Sequence, residues 1–434
     1  MLKDLNIKVH HLTRVEGHGN IVVDMKKGVL EKAQLEIVEP PRYFEAFLKG
    51  RNYHEAALIT SRICGICSLG HQLTSLKATE AALGLEVSEQ TILLRKLLID
   101  GATFQSNILH ALFLVTPDLL DLPSVFPLVN SNKAIVEAAL RLKRLANKIG
   151  TVVSGRAIHP IRCVPGGFSK LPTETELKGL KNELKGQGTD DLNFILEILM
   201  SLKENIPSFE RDTEYISYYS DKEYGFYDGV IKSSDTGLLD ENDYESIANE
   251  FVVTHSTSKH AKHHRSSYMV GALARYNNSH QFLSKTAKAV AEKLGLTPGC
   301  TNPYMNTIAQ IVETAHCIDH SIELIDILTE KEIQPEAPNQ KITRYGRGIG
   351  VTEVPRGILF HDYKYNRQGL IEKANCIIPT GQNLANIDDD MKKLVPELMN
   401  ESKEQITKKL EMLVRAYDPC ISCSVHMIKV KFRE

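Results

Sequence analysis

Apolar and polar positions alternate in the first forty residues. Ala33, Leu35 and Ile37 face one way and Lys32, Gln34 and Glu36 the other, the pattern of a half-buried strand. Ile21, Val22 and Val23 form an earlier apolar run, Lys26-Lys27-Gly28 reads as the turn between them, and Pro40-Pro41 ends the region. The period then changes. Between Ser88 and Val115, residues Leu94, Leu97, Leu98, Phe104, Ile108, Leu109 and Leu112 recur at three- and four-residue spacing, which predicts a long helix. Further helices are predicted over 132–149, 282–294, 304–329 and 396–417. Another starts after Pro172, where Thr173 and Glu176 form a capping box. The Tyr-, Asp- and Gly-rich stretch Arg211–Asn249 reads as irregular or β, and 331–385 as strands and loops. No repeat or low-complexity linker interrupts the chain. The expectation is one α+β, predominantly α unit over 1–434, a buried bundle of long helices with β segments from the first 40 residues and from 340–380 packed around it.

Composition narrows the function. Lys plus Arg is 52 and Asp plus Glu 54, a net charge of −2, so the basic footprint of a nucleic-acid binder is missing. A 42% hydrophobic and 24% charged chain is that of a globular protein, not a disordered one. No run of about 18 apolar residues is found, so no membrane span is expected. Met1–Gly17 has no apolar signal-peptide core, and a cytoplasmic location is expected.

Cysteine placement carries the chemistry. Of eight cysteines, four form two C-x-x-C pairs, Cys64 with Cys67 and Cys420 with Cys423, at opposite ends of the chain. Four thiolates select zinc, nickel or iron. A structural zinc site is the plainest reading, yet zinc ribbons space their pairs by tens of residues, and a large helical core has no need of a zinc staple. The spacing favours a catalytic metal centre where the two chain ends meet. Cys163, Cys300 and Cys317 read as inert thiols.

The flanks of the pairs carry a resemblance. Arg62-Ile63-Cys64-Gly65-Ile66-Cys67 with His71, and Asp418-Pro419-Cys420 through Cys423 to His426, resemble the two signatures of the large subunit of nickel-iron hydrogenases. Arg14-Val15-Glu16-Gly17-His18, Arg42-Tyr43-Phe44-Glu45, Val354-Pro355-Arg356-Gly357 and Ile378-Pro379-Thr380 match further landmarks in the right order. Tyr268–Arg275 is similar to the soluble, multimeric enzymes of the family, such as the methyl-viologen-reducing, deazaflavin-reducing and NAD(P)-linked types.

The resemblance implies a helix-rich fold and reversible heterolytic cleavage of H₂. It makes Cys64, Cys67, Cys420 and Cys423 ligands of nickel, with Cys67 and Cys423 also bridging to an iron that carries CO and cyanide. Glu16 becomes the first proton acceptor, and Arg356 a fixed positive charge over the metals, paired with Asp418. Asp118, eight residues after His110, is the candidate for a second aspartate there. Pro379 and Thr380 would receive a cyanide ligand, and His71, one turn beyond Cys67, would donate to a bridging sulfur. Glu45, His426 and the carbonyl of Cys376 would hold a second metal, magnesium or iron.

The four remaining cysteines lack cluster spacing, so no iron–sulfur cluster is expected in this chain. Electrons would leave through a small iron–sulfur hydrogenase partner, then through further flavin, nicotinamide, deazaflavin or heterodisulfide-reductase-type subunits. Two other readings compete. A non-enzymatic scaffold related to a quinone-reductase component would lack the metal cysteines, and a hydrogen sensor would keep them. His255, His260, His263 and His264 with Lys259, Lys262 and Arg265 read as a solvated basic surface. In the tail 427–434, Ile428, Val430 and Phe432 alternate with Lys429, Lys431 and Arg433, which favours a retained strand over removal after His426.

Overall fold

The alternating N-terminal segment forms a three-stranded antiparallel sheet, β1 (Leu5–Val9), β2 (Gly19–Lys26) and β3 (Val29–Ile37), in the computed structural model, which describes residues 4–426. Lys27 and Gly28 both adopt positive φ, 49° and 76°, the two-residue turn whose twist suits a hairpin. The expectation for 427–434 lies outside the described residues.

Helices follow: α1 (Phe44–Leu48), α2 (Tyr53–Thr60), α3 (Ser68–Leu83) and α4 (Glu89–Ile108). Ser88 caps α4 by accepting from the Thr91 amide. α4 runs on through a π-helical segment, Leu109–Val115, into Thr116–Leu119. α5 (Lys133–Ser154), α6 (Glu174–Glu183), α7 (Ala272–Ser279) and α8 (Asn306–Glu330) come next, and the Thr173–Glu176 capping box forms as expected. α4 packs between α5 and α8 as the centre of the bundle. By length and composition the run Glu89–Leu119 is apolar enough to cross a membrane, a feature absent from the sequence expectation; most of it is buried, as in a core helix.

β4 (Glu214–Tyr219), β5 (Val230–Ser233) and β6 (Gly237–Leu239) pair antiparallel, and Tyr268–Met269 joins β4 in parallel. β7 (Arg347–Val354), β8 (Gly357–Tyr365) and β9 (Ile371–Ile377) form a second antiparallel meander. It is buried on both faces. Leu359 and Tyr363 pack with Ala78 and Ala82 of α3, while Ile358 and Phe360 pack with Ile216 and Tyr244. Close contact with α3 depends on Gly350, where a Cβ would lie 2.2 Å from the Thr74 carbonyl oxygen.

The chain closes with α9 (Pro379–Glu397), α10 (Lys403–Ala416) and α11 (Ile421–Ser424). Two expectations change here. The helix predicted over 396–417 begins at Lys403, capped by Ser402, and residues 379–385, predicted as strand or loop, open α9. α3 and the first half of α9 gave no amphipathic signal because both are buried nearly all round. Their polar side chains are used inside: Gln382 donates to the Ile358 carbonyl, and the Thr74 hydroxyl meets that of Thr352 at 2.6 Å.

Candidate metal centre

The loop between α2 and α3 carries the first cysteine pair. It turns tightly enough for the amides of Ile66 and Cys67 to point at Cys64 Sγ, each at 3.2 Å, and Cys67 starts α3. The second pair follows α10 and is drawn to the N-terminal segment by a parallel bridge between Glu16 and Cys420, closed by the Ile421 amide on the Glu16 carbonyl at 2.9 Å. Arg42 ties the loops together: its guanidinium donates to the carbonyls of Ile63 at 2.5 Å and Ser422 at 3.2 Å.

All four sulfurs lie within 4.8 Å of one another and are buried, with Cys64 and Cys420 3.5 Å apart and Cys420 and Cys423 2.8 Å apart. All four are free thiols. Thiol donors on Cys420, Cys423 and Cys67 pull the Cys64 pKa down, helped by Arg356, while burial pushes Cys420 and Cys423 up. A dry pocket that shares few negative charges among four sulfurs is built to give up its protons to a cation.

Charged groups line this pocket. Arg356 sits in the two-residue turn between β7 and β8. Its Nη1 donates to Cys67 Sγ at 3.2 Å and to Ser106 Oγ at 3.4 Å, its Nη2 to Asp418 Oδ1 at 2.8 Å, and its Nε to the Asp418 carbonyl at 2.8 Å. Asp418 takes a positive φ of 51°, a conformation that aims both its carbonyl and its carboxylate at one guanidinium. Arg275 donates to the carbonyls of Val354 and Pro355, and is itself gripped by Glu313 and Glu353, so the turn bearing Arg356 is fixed from behind. Glu16 Oε2 accepts from Cys420 Sγ and from the Ser422 amide, both at 3.1 Å. The Thr380 hydroxyl accepts from the Cys420 amide at 2.9 Å, beside Pro379 at the start of α9.

The nickel-dependent hydrogenase family model matches residues 42–134 and 211–426, and a HoxL-like model matches 6–39. The chain belongs to this family. The alpha chain of sulfhydrogenase 1 from Pyrococcus furiosus is 35% identical over 98% of this chain and 99% of its own length. The vhc polypeptide of an F420-non-reducing hydrogenase from Methanococcus voltae is 29% identical over 97% and 95%. Among solved structures, an NAD⁺-reducing [NiFe]-hydrogenase in the H₂-reduced state superposes with a TM-score of 0.87 at 28% identity, covering 97% of this chain and 99% of that one. The large-subunit hydrogenase fold is thus an α+β fold with nickel chemistry at the cysteine cluster.

Three sequence expectations are not met by the geometry. Asp118 is not brought to Arg356. Its carboxylate is taken by Arg14 and, at both oxygens, by Arg415, because the π-helical segment swings it toward α10. Ser106, one turn before His110, stands beside Arg356 instead. His71 turns Nδ1 to His361 Nε2 at 3.2 Å, and no hydrogen bond from His71 to a sulfur is present among the described residues; burial lowers its pKa to about 4. The histidines after Val253 are a solvated basic surface only in part: Lys262 and His264 are exposed, but the others turn inward. His260 is buried in a short strand, and His255 and His260 both meet Asp388 Oδ2, at 3.1 and 3.3 Å.

Glu45 Oε1 accepts from the Cys376 amide at 2.9 Å, and Arg42, three residues before Glu45, bridges to His426. His426 is buried, with both ring nitrogens unpartnered by protein, and burial pushes it down to about 3. A neutral imidazole with bare nitrogens is a donor that fits a divalent cation. Cys163 and Cys317 are buried and Cys300 half-buried, and burial raises all three thiols, Cys163 to about 12.

Proposed function

We propose that this chain is the catalytic subunit of a nickel-iron hydrogenase, and that the four-cysteine pocket is where H₂ is cleaved. The observation that carries this reading is the meeting of Cys64, Cys67, Cys420 and Cys423 under Arg356 and beside Glu16. All four cysteines would hold nickel, and Cys67 and Cys423 would also hold an iron bearing CO and cyanide. When bound, this pair of metals supplies heterolytic splitting of H₂ into protons and electrons.

The chain's own groups then have separate tasks. Cys420 receives the proton on its sulfur, and Glu16, 3.1 Å away, takes it. Arg356 keeps its charge throughout and stabilises negative charge on the sulfurs without carrying protons, and Asp418 holds it in place. Pro379 opens α9, and Thr380 and the rest of its first turn offer N–H and hydroxyl donors, and a positive helix end, to an anionic cyanide. Glu45, His426 and the Cys376 carbonyl would hold magnesium or iron as a structural cation. Electrons would leave to a small iron–sulfur partner, then to flavin-, nicotinamide-, deazaflavin- or heterodisulfide-linked partners in the cytoplasm.

The test is anaerobic purification of the complex, metal analysis and H₂-dependent reduction of a dye. Nickel and iron with turnover are expected. Zinc alone, or no turnover, would overturn the reading in favour of a scaffold.

A further inference from the structure

Asp388, in the third turn of α9, is buried, and its two oxygens are used differently. Oδ1 accepts from the Leu35 amide of β3 at 2.8 Å. Oδ2 faces two histidines, His255 Nε2 at 3.1 Å and His260 Nε2 at 3.3 Å. Among the described residues no Lys or Arg lies within ion-pair distance of Asp388. Lys259, next to His260 in sequence, is drawn off to Glu250. A buried carboxylate needs a positive partner. One imidazolium would meet that need. Two ring nitrogens meeting at one oxygen are more than charge neutralisation asks for, and they set three metal-ligating atoms around a common point.

We propose that His255, His260 and Asp388 form a further metal site, for a divalent transition ion of the zinc class. One donor atom from each residue lies within 4.8 Å of the other two. Ligands held at about 2.1 Å around one ion stand about 3.0–3.4 Å from each other in octahedral or tetrahedral geometry. The two N···O separations, 3.1 and 3.3 Å, fall in that interval. Two imidazoles among three ligands favour zinc over magnesium or calcium, which take oxygen. The Leu35 amide on Oδ1 is the outer hydrogen bond that orients a ligating carboxylate. His260 Nδ1 is buried with no protein partner, so no second bond fixes the tautomer, and Nε2 presents its lone pair once the proton sits on Nδ1. The His255 side chain is 19% exposed, against 3% for His260 and 7% for Asp388, which leaves one side open for an ion to enter. The ion would be structural. It would join the loop at His255, the strand His260–Lys262 and α9. The same loop is tied to β3 by the Thr257 amide on the Ile37 carbonyl, and Ser258 donates to the carbonyl of Ser424, next to Cys423. The site stands whatever reaction the cysteine pocket performs.

Diffraction above and below the zinc absorption edge, from crystals of the complex soaked in micromolar zinc chloride, reads the site by position and so separates it from the cysteine pocket and from His426. A zinc peak at about 2.0–2.2 Å from the two Nε2 atoms and from Asp388 is expected. Absence of that peak overturns the proposal. In solution, the complex dialysed against zinc should retain an additional equivalent over its His255→Gln variant, and zinc should raise the thermal midpoint of the first and not of the second. Asp388→Asn keeps an acceptor for the Leu35 amide but removes the charge, and should weaken zinc binding at least about 100-fold. Equal zinc content in the wild-type and both variant complexes, or a midpoint that zinc raises equally in wild type and His255→Gln, would overturn the site and leave an imidazolium as the partner of Asp388.

Discussion

Cys420 and Glu16 share a hydrogen bond of 3.1 Å although 404 positions separate them, and the contact is made by backbone as well as side chain. The parallel bridge between the two residues sets their backbones side by side, so the thiol and the carboxylate start from neighbouring positions. Glu16 is the carboxylate within hydrogen-bond reach of a proton leaving the Cys420 sulfur. Glu16→Gln keeps the shape and the bond to the Ser422 amide but cannot take a proton. H₂ oxidation should fall by roughly 10²–10⁴ with nickel content unchanged. Wild-type turnover in a nickel-replete Glu16→Gln complex would move the proton route elsewhere.

Arg356 makes four bonds in one plane, to a sulfur, a hydroxyl, a carbonyl and a carboxylate. Lysine keeps the charge but not the fork. Arg356→Lys should lower turnover by roughly 10²–10³ without loss of nickel. A charge-only role would leave the lysine variant near wild type, and steady-state H₂ oxidation separates the two.

The site was legible because its signatures are short and local: each C-x-x-C pair with its flanks, the Pro-Arg-Gly turn and the Glu16 segment all read in one dimension. What could not be read was which side chains the packing brings to them. Asp118 has the spacing expected of a pocket aspartate, but the π-helical segment Leu109–Val115 before it changes the rotation in a way a spacing rule cannot contain. Ser106 carries no chemical signature at all. Among the elements, the amphipathic α5 and the capped α6 were plain, while α3 was silent because helix, sheet and loops cover it on every side.

Buried neutral histidines set the acid limit. Burial lowers His71 to about 4 and His316 to about 3, against an ordinary 6.5. Both must gain a proton on unfolding below pH 6.5, so their stabilisation is complete above that value and is lost as pH falls toward 4 and then 3. By pH 4 each removes roughly 3 kcal/mol. The thermal midpoint of the complex should drop steeply between pH 6.5 and 4. His316→Gln, which keeps an acceptor for the Ser284 amide, should flatten part of that slope. Equal slopes in the two proteins would exclude His316 as a contributor.

Gly350 brings β7 against α3, and through them Arg356 against Cys67. A Cβ there would lie 2.2 Å from the Thr74 oxygen and 2.6 Å from the Ala78 nitrogen, backbone atoms that cannot step aside. Gly350→Ala should cost about 1–3 kcal/mol or more and lower nickel retention together with the thermal midpoint. An alanine variant with unchanged midpoint and full nickel would show that the helix and sheet can part without disturbing the pocket.

His426 offers the clearest test of the second metal, because its two ring nitrogens are buried and have no protein partner. Without a cation such an imidazole costs the fold its desolvation; with one, binding free energy becomes folding free energy. Chelator treatment of the complex should lower the thermal midpoint, and magnesium or ferrous iron should restore it. Saturation at a hundredfold excess over the dissociation constant corresponds to about 2.7 kcal/mol. Glu45→Gln should weaken that response and His426→Ala should abolish it, because the first removes a charge from the cation and the second removes a donor. The four cysteines are untouched by either change. A chelator response that persists in His426→Ala would place the stabilising metal somewhere other than between Glu45, Cys376 and His426.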